Sequence, residues 1–131
     1  MILNSITKTV SIDAPVSKVF EFLSNPANWS QWAIVNVKSI KPGEGEWWDM
    51  DTPVGQGKLR IRPDATSRIL DHDFNAPDAS WTVPARVVPN GDGSEFMITF
   101  FQPPAFTKDV FEQQIGLVDK ELAKLKELME S

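Results

Sequence analysis

The single histidine, His72, lies between two aspartates, Asp71 and Asp73. A carboxylate–imidazole–carboxylate run is the material of metal sites and acid–base pairs. In a strand, however, consecutive side chains alternate, so both aspartates face one way and His72 the other. One ion cannot collect all three, and no metal site is expected. His72 shares its face with Arg68, Leu70 and Phe74, either as a polar anchor at a pocket or as a hydrogen-bonded strand residue. Arg60 shares a strand face with Lys58 and Arg62, opposite Leu59 and Ile61. Such a face is solvated, or it turns one arginine inward to hold a carboxylate or enolate bidentately. Glu121 and Gln114 lie seven residues apart, flanked by Leu117, Val118, Leu122 and Leu125. They either face an apolar cavity or mark the edge of the apolar stripe, with Lys124 as partner for Glu121. In a cavity, burial would raise the Glu121 pKa and supply a general acid.

Composition removes most other chemistry. There is no cysteine, which excludes thiolate metal sites, disulfides and cysteine nucleophiles, and one histidine cannot build a multi-histidine centre. Thirteen Lys and Arg against 18 Asp and Glu leave 13 − 18 = −5. That balance argues against nucleic acid as the main partner. Pro42-Gly-Glu-Gly45 lacks the lysine and hydroxyl of a phosphate loop, and no Gly-x-Ser-x-Gly elbow occurs. No cofactor is expected. The start of the chain lacks a basic, apolar secretory signal and no stretch is long enough to span a bilayer, so a cytoplasmic protein is expected.

What remains is aromatic surface: five Trp and eight Phe, with no Tyr. Trp29 and Trp32 are three apart on a short helix and share a face. Trp47 and Trp48 are adjacent in a strand, so one faces the core or a cavity. The other faces out, where it could cover a contact in a homodimer. Trp81 alternates with Val83, Ala85 and Val87. Core filling and an aromatic-lined pocket are the two readings, and for the set a partial pocket role is favoured.

The elements that must position these residues follow from periodicity. Residues 5–12 alternate as a strand. Asp13-Ala-Pro15 opens a helix, and Asn25-Pro26 opens a second, short one carrying Trp29 and Trp32. Strands are expected at 34–41, 46–51, 57–62, 66–74, 79–88 and 94–102, with Asn90-Gly91 as a strong hairpin turn. A helix is expected over 108–129, about 33 Å long. Thr107 is its cap, Phe106 and Phe111 form a staple, and Phe111, Ile115, Val118, Leu122, Leu125 and Met129 form its stripe. The result is a single α+β domain over 1–131, in which a curved antiparallel sheet of about seven strands wraps on the C-terminal helix.

The stretch from Val10 to Trp32 (Val-Ser-Ile-Asp-Ala-Pro-Val-Ser-Lys-Val-Phe-Glu-Phe-Leu-Ser-Asn-Pro-Ala-Asn-Trp-Ser-Gln-Trp) resembles the opening signature of the START-like, helix-grip superfamily, also called SRPBCC. That superfamily includes birch-pollen-allergen-like proteins, polyketide cyclases and dehydrases, and lipid-transfer domains. Ser67–Asp73, Val83–Glu95 and the terminal helix resemble its small bacterial polyketide-cyclase-like branch, and Pro42–Gly45 is similar to the glycine loop of the allergen branch. The resemblance implies a cavity between sheet and long helix for a small hydrophobic molecule, with Trp29 and Trp32 near its mouth. The residues expected to contact that ligand are Trp29, Trp32, Trp48, His72, Trp81, Phe101, Gln114 and Val118. A cyclase- or dehydratase-type enzyme is the alternative, with His72, Arg60 and Glu121 as its acid–base candidates. A third reading is a protein–protein module, as in relatives that dock onto chaperones or ribosomes.

Overall fold

Alternation of Ile6, Val10 and Ile12 with Thr7, Thr9 and Ser11 gives strand β1 (Ser5–Ile12). Pro15, extended at φ −64° and ψ 150°, then opens α1 (Val16–Ser24). The Asn25 side chain accepts from the Ala27 N–H and starts a 3₁₀ turn (Pro26–Asn28), which runs into α2 (Trp29–Trp32). The rest of the computed structural model, which describes residues 1–77 and 79–131, is sheet and one long helix. The strands are β2 (Ser39–Pro42), β3 (Trp48–Thr52), β4 (Gly55–Asp64), β5 (Ile69–Ala76), β6 (Ala79–Val83), β7 (Ala85–Asn90) and β8 (Gly93–Phe101), and the helix is α3 (Lys108–Glu130). The sheet is antiparallel in the order β1-β8-β7-β5-β4-β3-β2, with β6 added alongside β5.

Three strands differ from expectation, each for a local reason. The expected strand 34–41 is reduced to β2, because the chain first makes a helical turn in which Val37 N–H donates to the Ala33 carbonyl. The expected strand 66–74 begins only at Ile69. The Asp64 carboxylate accepts from the Thr66 and Ser67 N–H groups, and Arg68 takes a left-handed φ of +55°. Arg68 therefore lies in a turn and not on the His72 face. The expected strand 79–88 is two strands. Pro84 has no N–H for a ladder, and the next one, of Ala85, donates to the Asp71 carboxylate at 3.1 Å. β6 stays with β5, while β7 pairs with β8 and meets β5 at Ile69↔Arg86.

Register sorts every strand residue to one of two faces. The inner, helix-covered face carries Ile12, Leu59, Leu70, Val83, Val87, Phe96 and Ile98, all buried. α1 adds Val19 and Leu23, and α2 adds Trp29 and Trp32. α3 adds Val118, Leu122, Leu125 and Met129, the stripe expected from sequence. Burying each such large side chain contributes about 1.5–3 kcal/mol, which is why an isolated amphipathic helix of this kind is held by the sheet. The Thr107 hydroxyl caps α3 by accepting from the Val110 N–H at 3.2 Å.

Candidate ligand site

The antiparallel pairing places side chains in rungs across the inner face. Trp48, Leu59, Phe74 and Trp81 form one rung across β3, β4, β5 and β6. On one side of it lies the rung Ile61–His72–Val83, and on the other Ile40–Met50–Gly57. Leu59 is fully buried, Trp48 and Phe74 are partly exposed, and Trp81 is 40% exposed. The Phe74 and Trp81 rings lie 5.6 Å apart with 30° between their planes. This rung is therefore an apolar ledge whose aromatic members still meet solvent. A cleft of about 670 Å³ lies in the sheet across β2 to β5, lined chiefly by outer-face residues that include Lys41, Asp49, Asp51 and Lys58, with Ile40 and Met50 from the inner face; no residue of the rung lines it.

Deeper in, the aromatic residues fill the molecule. Trp29 donates from Nε1 to the Leu23 carbonyl at 2.9 Å and packs edge-on against Trp32 at 4.9 Å and His72 at 4.7 Å. Trp32 packs against Phe96 at 6.2 Å, and no described residue accepts from its Nε1. Both tryptophans are 2% exposed. The layer in which the resemblance implies a cavity is thus occupied by Trp32, Phe96, Val118, Leu122 and Leu125, all buried.

His72 is buried at 1% exposure, with Nδ1 2.9 Å from the carbonyl of Leu70 in its own strand. That contact makes Nδ1 the protonated nitrogen of the neutral ring. Burial pushes the His72 pKa down to about 4, against the hydrogen bond to Leu70 and the charges of Asp71 and Asp73. As alternation requires, the two aspartates lie on the other face. Among the described residues, no group of three metal-binding side chains comes together.

Arg60 lies on that outer face as well. It donates from Nε and Nη2 to Asp73 at 3.1 and 2.8 Å, and Arg62 donates to the same carboxylate at 3.0 and 3.1 Å. Thr82 adds a bond at 2.6 Å. Burial works to raise the Asp73 pKa, but the bonds from Thr82, Arg62 and Arg60 outweigh it and hold it at about 2. The Arg60 guanidinium also lies 4.6 Å over the Trp47 ring. The Trp47–Trp48 pair is therefore split across the sheet, Trp47 outside and Trp48 inside. Asp73→Ala would leave two neighbouring guanidinium groups without their shared acceptor. It is expected to cost about 1–2 kcal/mol in urea unfolding, kept modest because both arginines are partly solvated.

Glu121 neither faces a cavity nor lies at the stripe's solvent edge. It is buried, and its carboxylate accepts from the Val35 and Asn36 N–H groups at 3.1 and 3.0 Å and from Asn36 Nδ2 at 3.0 Å. Lys124 pairs instead with Glu127 at 3.5 Å. Burial raises the Glu121 pKa, with the bonds from Asn36 and Val35 acting against it. Of the other residues expected at a ligand site, Val118 is buried, Gln114 is exposed, and Phe101 lies on the outer face at 45% exposure. Trp29, Trp32, Trp48, His72 and Trp81 share the inner side. Phe74, Ile40 and Met50 carry no sequence signal of a site, because only the pairing register shows that they flank Trp48 and Trp81.

The family model for polyketide cyclase / dehydrase and lipid transport proteins matches residues 4–130. The chain belongs to this family. A search of curated protein sequences finds no match. Solved structures with the family's helix-grip fold are similar over nearly their whole length. The Aha1 dimer from Colwellia psychrerythraea has a TM-score of 0.78 at 13% identity, covering 98% of this chain and 97% of that one. An uncharacterised protein from Bacillus thuringiensis has a TM-score of 0.77 at 17% identity, covering 96% and 98%. Ara h 8.0201 has a TM-score of 0.70 at 10% identity, covering 97% of both chains. At such identities the likeness establishes the fold alone. No helix among the described residues is long and apolar enough to cross a membrane.

Proposed function

We propose that the protein binds a small hydrophobic molecule on the inner face of its sheet, at the β3–β6 end. Family membership supports a ligand-binding role. The observation that carries the location is the rung Trp48–Leu59–Phe74–Trp81, whose aromatic members remain partly exposed on the inner face. An aromatic ring left in solvent on a face otherwise built for burial costs free energy that a ligand recovers. The cyclase-type alternative keeps only His72 of its three candidates on this face, since Arg60 is bonded to Asp73 outside and the Glu121 carboxylate holds a loop.

Trp81→Ala tests the reading. Because Trp81 is 40% exposed, its removal is expected to cost little stability, about 1 kcal/mol. Binding of an uncharged fluorescent probe such as Nile red, followed by titration, is expected to weaken at least fivefold. Unchanged affinity in both Trp81→Ala and Trp48→Ala would move the site elsewhere.

A further inference from the structure

Charge on the sheet is segregated by face. In β2 to β5, Lys41, Asp49, Asp51, Lys58, Arg60, Arg62, Asp71 and Asp73 all fall in register on the outer face. The inner positions of the same strands and β6 are Ile40, Met50, Trp48, Leu59, Ile61, Leu70, Phe74, Trp81 and Val83, with His72 the one titratable group. His72 is buried behind Phe74, 5.5 Å from its ring, and spends its Nδ1–H on a backbone carbonyl. Among the described residues, no inner position of these strands offers a cation to a carboxylate, and an anion pressed against this face loses hydration without a partner. The exposed part of the rung is also made of flat rings. Phe74 and Trp81 are inclined by only 30° at 5.6 Å, and Trp48 stands at the rung's other end, with Leu59 fully buried between. Rings prefer other rings in offset or edge-to-face contact, worth more than their area alone. A flexible chain would gain only the area and lose rotamer freedom on this surface.

We infer that the ligand class of this face is an uncharged, planar aromatic molecule, in preference to a flexible acyl chain or any aromatic acid. The inference rests on the reading of the β3–β6 inner face as the ligand site, and it adds charge and shape selection to it.

The test is a titration of the full chain at pH 7 with 2-naphthol, 2-naphthoate, 1-decanol and decanoate. It is read by calorimetry and by the indole N–H signals of the five tryptophans in NMR. The expected result is that 2-naphthol binds at least tenfold tighter than each of the other three and shifts the Trp48 and Trp81 indole signals. Trp81→Leu, at a half-exposed position that tolerates change, is expected to remove most of that tenfold preference by weakening 2-naphthol binding more than decanol binding. Decanol or naphthoate binding as tightly as naphthol through the same two tryptophans overturns the inference and leaves the site standing. Failure of all four probes to shift either tryptophan removes both.

Discussion

Glu121→Ala is expected to lower the free energy of unfolding by about 3 kcal/mol, the sum expected when buried donors lose a charged acceptor. The Val35 and Asn36 N–H groups and the Asn36 amide all point at this carboxylate, and no other described acceptor takes them. The contact joins positions 85 and 86 residues apart in the chain, so it ties α3 to the turn leading into β2. Glu121→Gln retains one acceptor oxygen but turns an NH₂ toward a donor, and it also relieves the burial of a charge. Its cost is therefore expected to be smaller, about 1 kcal/mol. Urea unfolding curves of the three proteins measure this order. A Glu121→Ala protein as stable as the parent would show that water replaces the carboxylate freely.

Acid is expected to destabilise the fold through His72. The imidazole takes up a proton at about pH 6.5 in the unfolded chain but only at about 4 in the folded one. Between these values the unfolded state binds the extra proton, so stability falls as pH falls. The full shift corresponds to a loss on the order of 3 kcal/mol. Asp73 acts in the same direction at lower pH, since its folded pKa of about 2 lies below the ordinary value of 3.8. Glu121 acts oppositely. Its raised pKa makes the folded state relatively less stable as pH rises through the ordinary glutamate range. Because the chain has one histidine, its ring signals report the folded-state titration without ambiguity. A ring that titrates near 6.5 in the folded protein would refute the assignment. His72→Leu is expected to flatten the dependence of unfolding free energy on pH between 6.5 and 4.

Much of this architecture was legible in the sequence, because its strongest signals are periodic. The alternation in β1, the Thr107 cap and the α3 stripe each state their own geometry, and the opposed faces of His72 and its aspartates follow from strand alternation alone. What could not be read were contacts made across long separations. Nothing near Val35 announces that its N–H will be taken by Glu121, so a Val- and Ile-containing stretch reads as a strand when it is a turn. The sequence leaves the side of Arg60 open because both faces of a strand look alike until a neighbour is assigned; its pairing with Asp73 places it outside. The site was partly legible for a related reason. Tryptophans mark apolar surface wherever they occur, but burial separates Trp29 and Trp32, which fill the core, from Trp48 and Trp81, which line its open side.

The break at Pro84 has a bearing on motion. β7 is clamped between neighbours, whereas β6 is hydrogen-bonded in register along β5 and, among the described residues, no strand pairs with its other edge. Segments with fewer backbone partners open at lower free energy than the sheet that carries them. β6 is therefore expected to open from β5 at lower free energy than β7 opens from β8. Amides of β6 should exchange with solvent faster than those of β7, although a single residue separates the two strands. Opening of β6 would carry Trp81 with it, while the rest of the sheet kept its register.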